Sequence, residues 1–245
     1  VLMLVHGMHD GTRFVERLRR VDLLNLDQPA HALDLPHLVN VIRVDPQGRY
    51  ALATEYMRPQ IHRLDFVGSG GCGALDLSDI NQIGDLGLSA DGTQAWAHLS
   101  LGRRRAALLH WDLQSCVHRV LAEEEHIGYG AVLLPLGDQV LVHRHLADAM
   151  ATYNARGPVA RMPTLPAART LSLLASSSDG HRVAVATRNA VQVYDLVHRE
   201  RLSATLTAAI PGNDSIHRLA FSADGSRLLA RTVFGRWLAW SLPNT

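Results

Sequence analysis

The sequence predicts an all-β protein assembled from repeated four-stranded antiparallel units, and three observations carry that prediction. Glycine-bearing turn signals recur at a nearly constant interval. A second marker, polar after aromatic or apolar, keeps the same interval further downstream. The apolar runs between them are short, and long stretches with apolar residues at helical spacing are missing.

The turns come first. Asp45-Pro46-Gln47-Gly48, Ser89-Ala90-Asp91-Gly92, Pro135-Leu136-Gly137, Ser178-Asp179-Gly180 and Ser222-Ala223-Asp224-Gly225 place their glycines 44, 45, 43 and 45 residues apart. A tight hairpin needs a residue at positive φ, which glycine supplies without steric cost, so apolar runs on either side make a β-hairpin. The runs are 41–44 and 50–54, 86–88 and 95–99, 131–134 and 140–142, 171–175 and 183–186, and 219–221 and 228–230. A third strand in each unit ends on the second marker, at Asp22, Asp65, Asp112, Asn154, Asp195 and Ser241. A fourth is expected at 32–35, 74–77, 117–121, 159–162 and 202–206.

Four short antiparallel strands per unit of about 44 residues is the pattern of a β-propeller blade. The expected blades span approximately 1–36 (partial), 37–80, 81–122, 123–165, 166–208 and 209–245, giving at least six and, with further upstream sequence, seven. Val1-Leu-Met-Leu-Val5 followed by His6-Gly7 superficially suits the third strand of an α/β-hydrolase. That fold requires a Gly-x-Ser-x-Gly elbow, and the nearest approach, Gly87-Leu88-Ser89-Ala90-Asp91, lacks its second glycine. The opening residues are therefore expected to be the second strand of a blade, with a hairpin at 7–12 and a third strand at 14–23. The last unit stops after its third strand, and closure by a strand from the N-terminal side is expected, since it removes an open edge. A chain that begins at Val1 inside a strand is also expected to be the C-terminal part of a longer protein.

Trp111-Asp112, Tyr194-Asp195 and the Ser-x-Asp-Gly turns at 89–92 and 222–225 resemble the WD40 family over essentially the whole chain. His37 and His126, each 11 residues before an aligned turn glycine, stand where that family often carries a histidine. Neither of these two histidines follows a glycine as in the family's Gly-His pair, and Trp-Asp occurs intact once. The resemblance implies a binding face formed by loops from fourth to next first strand and from second to third strand. Those loops gather Tyr56, Met57 and Arg58; Arg103, Arg104 and Arg105; Glu123, Glu124, Glu125, His126 and Tyr129; Arg188 and Asn189; Asn213 and Asp214. Loops held by a stiff scaffold are where binding usually resides.

Composition narrows the function. The 245 residues are 47% hydrophobic with a net charge of +1, so no global field steers the chain to nucleic acid or an anionic membrane. Every basic residue is Arg, which with the wealth of Ala and Leu points to a GC-rich bacterial genome. Cys72 and Cys116 are too few for a disulfide framework, so a reducing cytoplasm is the expected location.

Three clusters invite chemistry and have plainer explanations. Arg103–Arg105 could grip phosphate or carboxylate, yet charge runs on loop tips usually just meet solvent. His143 and His145 share a strand face at chelating spacing, but no further ligand is nominated, and buried hydrogen-bonded histidines account for them equally. Gly68-Ser-Gly-Gly-Cys-Gly73 lacks the lysine and helix of a phosphate loop and reads as a flexible connector. No cofactor or metal is expected. The function expected is a non-catalytic protein-interaction platform, a sensor or scaffold domain that binds another protein or another domain of its own polypeptide. The alternative is a propeller hydrolase or lyase using His37, Asp85, His126 or His217 near the channel mouth.

Overall fold

The computed structural model describes residues 2–9, 14–21, 31–35, 39–45, 47–55, 58–66, 71–102, 105–125, 131–144, 149–162, 173–177, 179–186, 190–196, 200–201, 206–207, 210, 214–222 and 224–242. They fall into two compact units, Val1–Tyr129 and Gly130–Thr245. Among the described residues there is no helix, hence none long and apolar enough to cross a membrane.

The first unit holds three antiparallel meanders. They are β1 (Leu2–His9), β2 (Phe14–Val21) and β3 (His31–Asp34); β4 (Val39–Val44), β5 (Tyr50–Glu55), β6 (Gln60–Asp65) and β7 (Leu75–Asp76); and β8 (Gln82–Leu88), β9 (Gln94–Gly102), β10 (Arg105–Asp112) and β11 (His118–Glu125). The second unit holds three more. They are β12 (Ala131–Leu136), β13 (Gln139–Arg144), β14 (Ala149–Asn154) and β15 (Gly157–Met162); β16 (Leu173–Ser176), β17 (Arg182–Ala186) and β18 (Ala190–Asp195), with β19 (Glu200–Arg201) and β20 (Leu206–Thr207) both pairing β18; and β21 (Ile216–Phe221), β22 (Arg227–Thr232) and β23 (Trp237–Ser241). Apart from β20, each described strand pairs with a sequence neighbour. Gly7, expected in a hairpin, is instead paired with Glu16 inside β1, because β1 and β2 stay in register out to His9 and Phe14. Near the fourth strand expected at 202–206, the described residues form only the short β19 and β20.

All five turn glycines have positive φ: Gly48 67°, Gly92 70°, Gly137 61°, Gly180 72° and Gly225 68°. Three turns share one hydrogen-bond plan. The amides of Gly92, Gly180 and Gly225 donate to the carbonyls of Ser89, Ser177 and Ser222. Those serines donate to Asp91, Asp179 and Asp224, and each aspartate accepts the amide of the residue after the glycine. The first turn substitutes Asp45 for the serine; its carboxylate accepts the Arg49 amide and both arms of the Arg49 guanidinium, at 2.9 and 2.8 Å.

These turns also explain why two sequence markers keep one period. The amides of Phe66, Leu113, Leu196 and Leu242, each one residue past the third-strand marker, donate to the carbonyls of Arg49, Thr93, His181 and Ser226. Each of those carbonyls belongs to the residue after a turn glycine, so the end of strand three is tied to the hairpin joining strands one and two. A one-residue slip in either marker would break that bond.

Consecutive sheets pack through small and branched apolar residues. Tyr50, Leu52 and Ile61 meet Leu86, Ala95, Ala97, Leu99, Leu109 and Trp111 across the space between β4–β7 and β8–β11. Leu18 and Leu35 meet Ala51 and Phe66 on the opposite face of β4–β7. In the second unit Leu136 and Leu141 face Val183 and Val185, and Ala184, Ala186, Val191 and Val193 face Leu228 and Ala230. Polar links cross the same seams about one repeat apart in sequence. The Tyr50 hydroxyl donates to the Gly92 carbonyl, Arg49 to the Asp91 carbonyl and Arg182 to the Gly225 carbonyl.

Cys72 and Cys116, expected to be free thiols, form a disulfide with Cα atoms 5.2 Å apart. The physical reason is positional. The cysteines are 44 residues apart, one repeat, and occupy the strand-three-to-four connections of adjacent sheets. Gly68–Gly70 lie outside the described residues; at the described end of that glycine-rich stretch, a side chain on Gly71 would run into the Arg63 guanidinium.

The turn aspartates make the fold acid-sensitive. Hydrogen bonds from Ser222 and Ser226 pull Asp224 down to about 2, and serine hydroxyls hold Asp91 and Asp179 below the ordinary carboxylate value. Burial pushes Asp45 up, but its bonds from Arg49 outweigh that and leave it lowered. A carboxylate whose folded pKa lies below its unfolded value of about 4 stabilises the fold above that value and loses the contribution as pH falls toward the folded pKa. Melting temperature is therefore expected to hold above about pH 5 and to drop between about pH 4 and pH 2. Thermal melts followed by circular dichroism check this, and Asp179→Asn with Asp224→Asn should make the drop shallower. A melting temperature flat across that window would show that the turn carboxylates do not hold the fold.

Candidate functional site

Of the loop residues that the sequence nominates, the described ones are Arg58, Arg105, Glu123, Glu124, Glu125 and Asp214. Arg58 and Arg105 are exposed in the first unit. Glu124 lies in β11 opposite Ala106, and Arg105 lies opposite Glu125, so strand register sets Arg105 beside the glutamate run. Tyr56, Met57, Arg103, Arg104, His126, Tyr129, Arg188 and Asn189 lie outside the described residues, as do His37, His145 and Asn213.

Asp214 is buried and acts inside the second unit. Its Oδ1 accepts the amides of Ser215 (2.9 Å) and Phe234 (3.1 Å). The Ser215 carbonyl accepts the Val233 amide, and Thr232 closes the hairpin by accepting the Arg236 amide. Burial raises the Asp214 pKa, but hydrogen bonds from Thr232, Phe234 and Ser215 outweigh it and leave it lowered, so the group is a carboxylate at neutral pH. Its work is to hold the β22–β23 loop, Val233–Arg236, in one conformation.

That loop is a strand-two-to-three connection, the class the sequence marks for binding, but its tip is apolar where the nominated loops carry charged and polar residues. Val233 is 57% exposed and Phe234 72%, with Trp237 at 71% just beyond. The signal was present in Thr232-Val-Phe-Gly-Arg-Trp237: two large apolar residues before a glycine, where a solvated turn would carry polar ones. A loop whose backbone is already fixed loses little conformational freedom on docking, which suits a contact anchor. Arg231 stands 5.9 Å from the Trp237 ring centroid and Arg236 is exposed beside it, so the apolar tip has a cationic rim.

Of the residues of the enzymatic alternative, His37 and His126 lie outside the described residues; Asp85 is buried in the first unit, where its Oδ1 accepts the Arg43 guanidinium at 2.6 Å, and His217 is exposed on β21 of the second. Among the described residues, no three His, Cys, Asp or Glu side chains are grouped to hold a metal ion.

No protein-family model and no curated protein matches the chain. Solved structures do. Hsv2 from Kluyveromyces lactis superposes with a TM-score of 0.68 at 12% identity, covering 94% of this chain and 71% of its own. Hsv2 from Kluyveromyces marxianus gives 0.65 at 10%, covering 94% and 70%. The β-propeller domain of Cps50 (Swd1) from Myceliophthora thermophila gives 0.59 at 18%, covering 84% and 66%. At such identities the likeness concerns architecture, and with the hairpin turns and four-stranded meanders above it shows that this chain has a β-propeller fold.

Proposed function

We propose that this chain is a non-catalytic protein-interaction platform, the sensor or scaffold part of a bacterial multidomain protein, with the Val233–Phe234 tip as a contact. The observation that carries the reading is the tip itself: a large exposed aromatic held by a buried carboxylate, a costly arrangement for a residue that only meets water. The β-propeller fold supports it, since such scaffolds present loops on a stiff frame. The arginine-only basic complement supports the bacterial source.

The test is affinity capture from the source cells with three baits: the unaltered chain, Phe234→Ser, and Arg103/Arg104/Arg105→Ala. A protein retained by the first and lost from Phe234→Ser is the expected result. Equal retention by all three baits would remove both loops from the interface. Stoichiometric metal in a chain that retains no protein would overturn the platform reading in favour of an enzyme.

A further inference from the structure

The Cys72–Cys116 bond joins two unequal environments. Cys72 is 6% exposed and packs in one core with Leu75, Leu77 and Trp111. Cys116 is exposed at the β10–β11 turn, as are Gln114, Ser115, Val117 and His118 around it. A small thiolate or disulfide arriving from solvent therefore meets the sulfur of Cys116 and is kept from that of Cys72. In thiol–disulfide exchange, access decides which sulfur is attacked, and the stability of its thiolate decides which one departs.

The stabilising charge sits at Cys72. The Leu113 carbonyl lies 3.3 Å from Cys72 Sγ and accepts the Arg63 guanidinium at 3.5 Å, so sulfur and cation are neighbours around one oxygen. Gly71 permits that approach, because a side chain there would take the place of the guanidinium. Arg63 is itself fixed, donating to Asp65 at 2.9 Å and lying 4.1 Å from the Tyr50 ring centroid. A cation held beside a cysteine favours its thiolate, the form that both departs and attacks.

Each cysteine also has a support that does not depend on the bond. Around Cys116, the Asp112 amide donates to the Val117 carbonyl and the Asp112 carboxylate accepts the Gln114 and Ser115 amides. Cys72 is followed by the buried Leu75 and Leu77, and the Leu77 amide donates to the Pro59 carbonyl. Opening the bond leaves both thiols on these supports, and groups held near each other react without a search through chain conformations.

We infer that Cys116 and Cys72 form a reversible redox pair, in which Cys116 exchanges with small thiols and disulfides of the glutathione class and Cys72 resolves the mixed disulfide. In closing, the Cys116 thiolate attacks one sulfur of the small disulfide, forming a mixed disulfide, and the other sulfur leaves as a thiolate. The Cys72 thiolate then attacks Cys116 Sγ, forms the internal bond and expels the second small thiolate. Two protein thiols are oxidised and one small disulfide is reduced to two thiols, whose protons balance those that the cysteines lose. Opening runs in reverse: a small thiolate bonds to Cys116 Sγ, Cys72 departs, and a second small thiolate frees Cys116. The pair couples the joint between β4–β7 and β8–β11 to the thiol poise of the surroundings. It operates in the same way whether the chain is a platform or an enzyme.

The test treats the reduced chain, Cys72→Ser and Cys116→Ser with oxidised glutathione and locates the adducts by mass spectrometry. Cys72→Ser is expected to gain glutathione on Cys116 at least about tenfold faster than Cys116→Ser gains it on Cys72. The unaltered reduced chain should pass through an adduct on Cys116 alone and finish with the internal bond closed. Excess reduced glutathione should open that bond while circular dichroism shows the chain still folded. Alkylation of the unaltered reduced chain gives the same ordering without any substitution, with Cys116 modified at least about tenfold faster than Cys72. Similar rates at the two cysteines, an adduct on Cys72, or a Cys116 adduct that Cys72 does not displace would overturn the inference. So would a bond that reduced glutathione leaves closed in the folded chain.

Discussion

Trp111→Ala is expected to destabilise the first unit by about 3–5 kcal/mol, the range for truncating a buried large aromatic. Trp111 closes β10 at 2% exposure, in one core with Tyr50, Leu86, Leu99 and Leu109. Its neighbours are fixed from three directions. The pairing of Trp111 with Ala95 in β9 and His118 in β11 pins its backbone, and the Leu113 amide ties the following residue to Thr93. With that scaffold unable to collapse inward, the removed indole leaves a cavity rather than a repacked core, so the cost should sit high in the range. Trp237→Ala, removing a side chain that is mostly in solvent, should shift stability by no more than about 0.5 kcal/mol. Urea titrations of the two variants beside the unaltered chain separate these outcomes. A Trp111→Ala loss under about 1 kcal/mol would mean that the seam between β4–β7 and β8–β11 is not a packed core.

The same local tie explains how much of the fold was legible. Gly48, Gly92 and Gly225 announce themselves because few residues tolerate positive φ, and Asp91 and Asp224 because only a short side chain can accept the amide two residues on. Strand ends were less legible: β9 runs on to Gly102 and β11 to Glu125 because pairing with β10 continues past the apolar run. Gly7 misled for the same reason, since a glycine inside a paired strand has no sequence mark distinguishing it from one in a turn. At the site, Asp214 looked like a loop ligand because its partners, the amides of Ser215 and Phe234, are backbone groups that carry no residue-type signature.

Removal of the Cys72–Cys116 bond is expected to cost about 2–4 kcal/mol in the first unit, and its state in the cell bears directly on where the protein works. The bond closes a 44-residue separation, for which the loss of chain entropy in the unfolded state is worth about 4 kcal/mol in the chain-entropy model. It joins the β6–β7 connection to the β10–β11 turn, so it fastens two adjacent sheets where backbone pairing does not reach. The turn around Cys116 is prepared for it. The Asp112 carboxylate accepts the amides of Gln114 and Ser115, and Cys116 adopts a left-handed φ of 62° that glycine would take more readily. Cys72→Ser with Cys116→Ser should lower the urea midpoint, and dithiothreitol should lower that of the unaltered chain equally while leaving the double variant unmoved. Identical midpoints with and without reductant would show that the bond contributes nothing. Disulfides persist in oxidising compartments and are reduced in the cytosol. Alkylation of the thiols at the moment of lysis, read by mass spectrometry, therefore decides the location. Alkylated Cys72 and Cys116 would support a cytoplasmic platform stable without its clasp, whereas an intact bond would put the protein outside the reducing compartment and make the clasp part of its working fold.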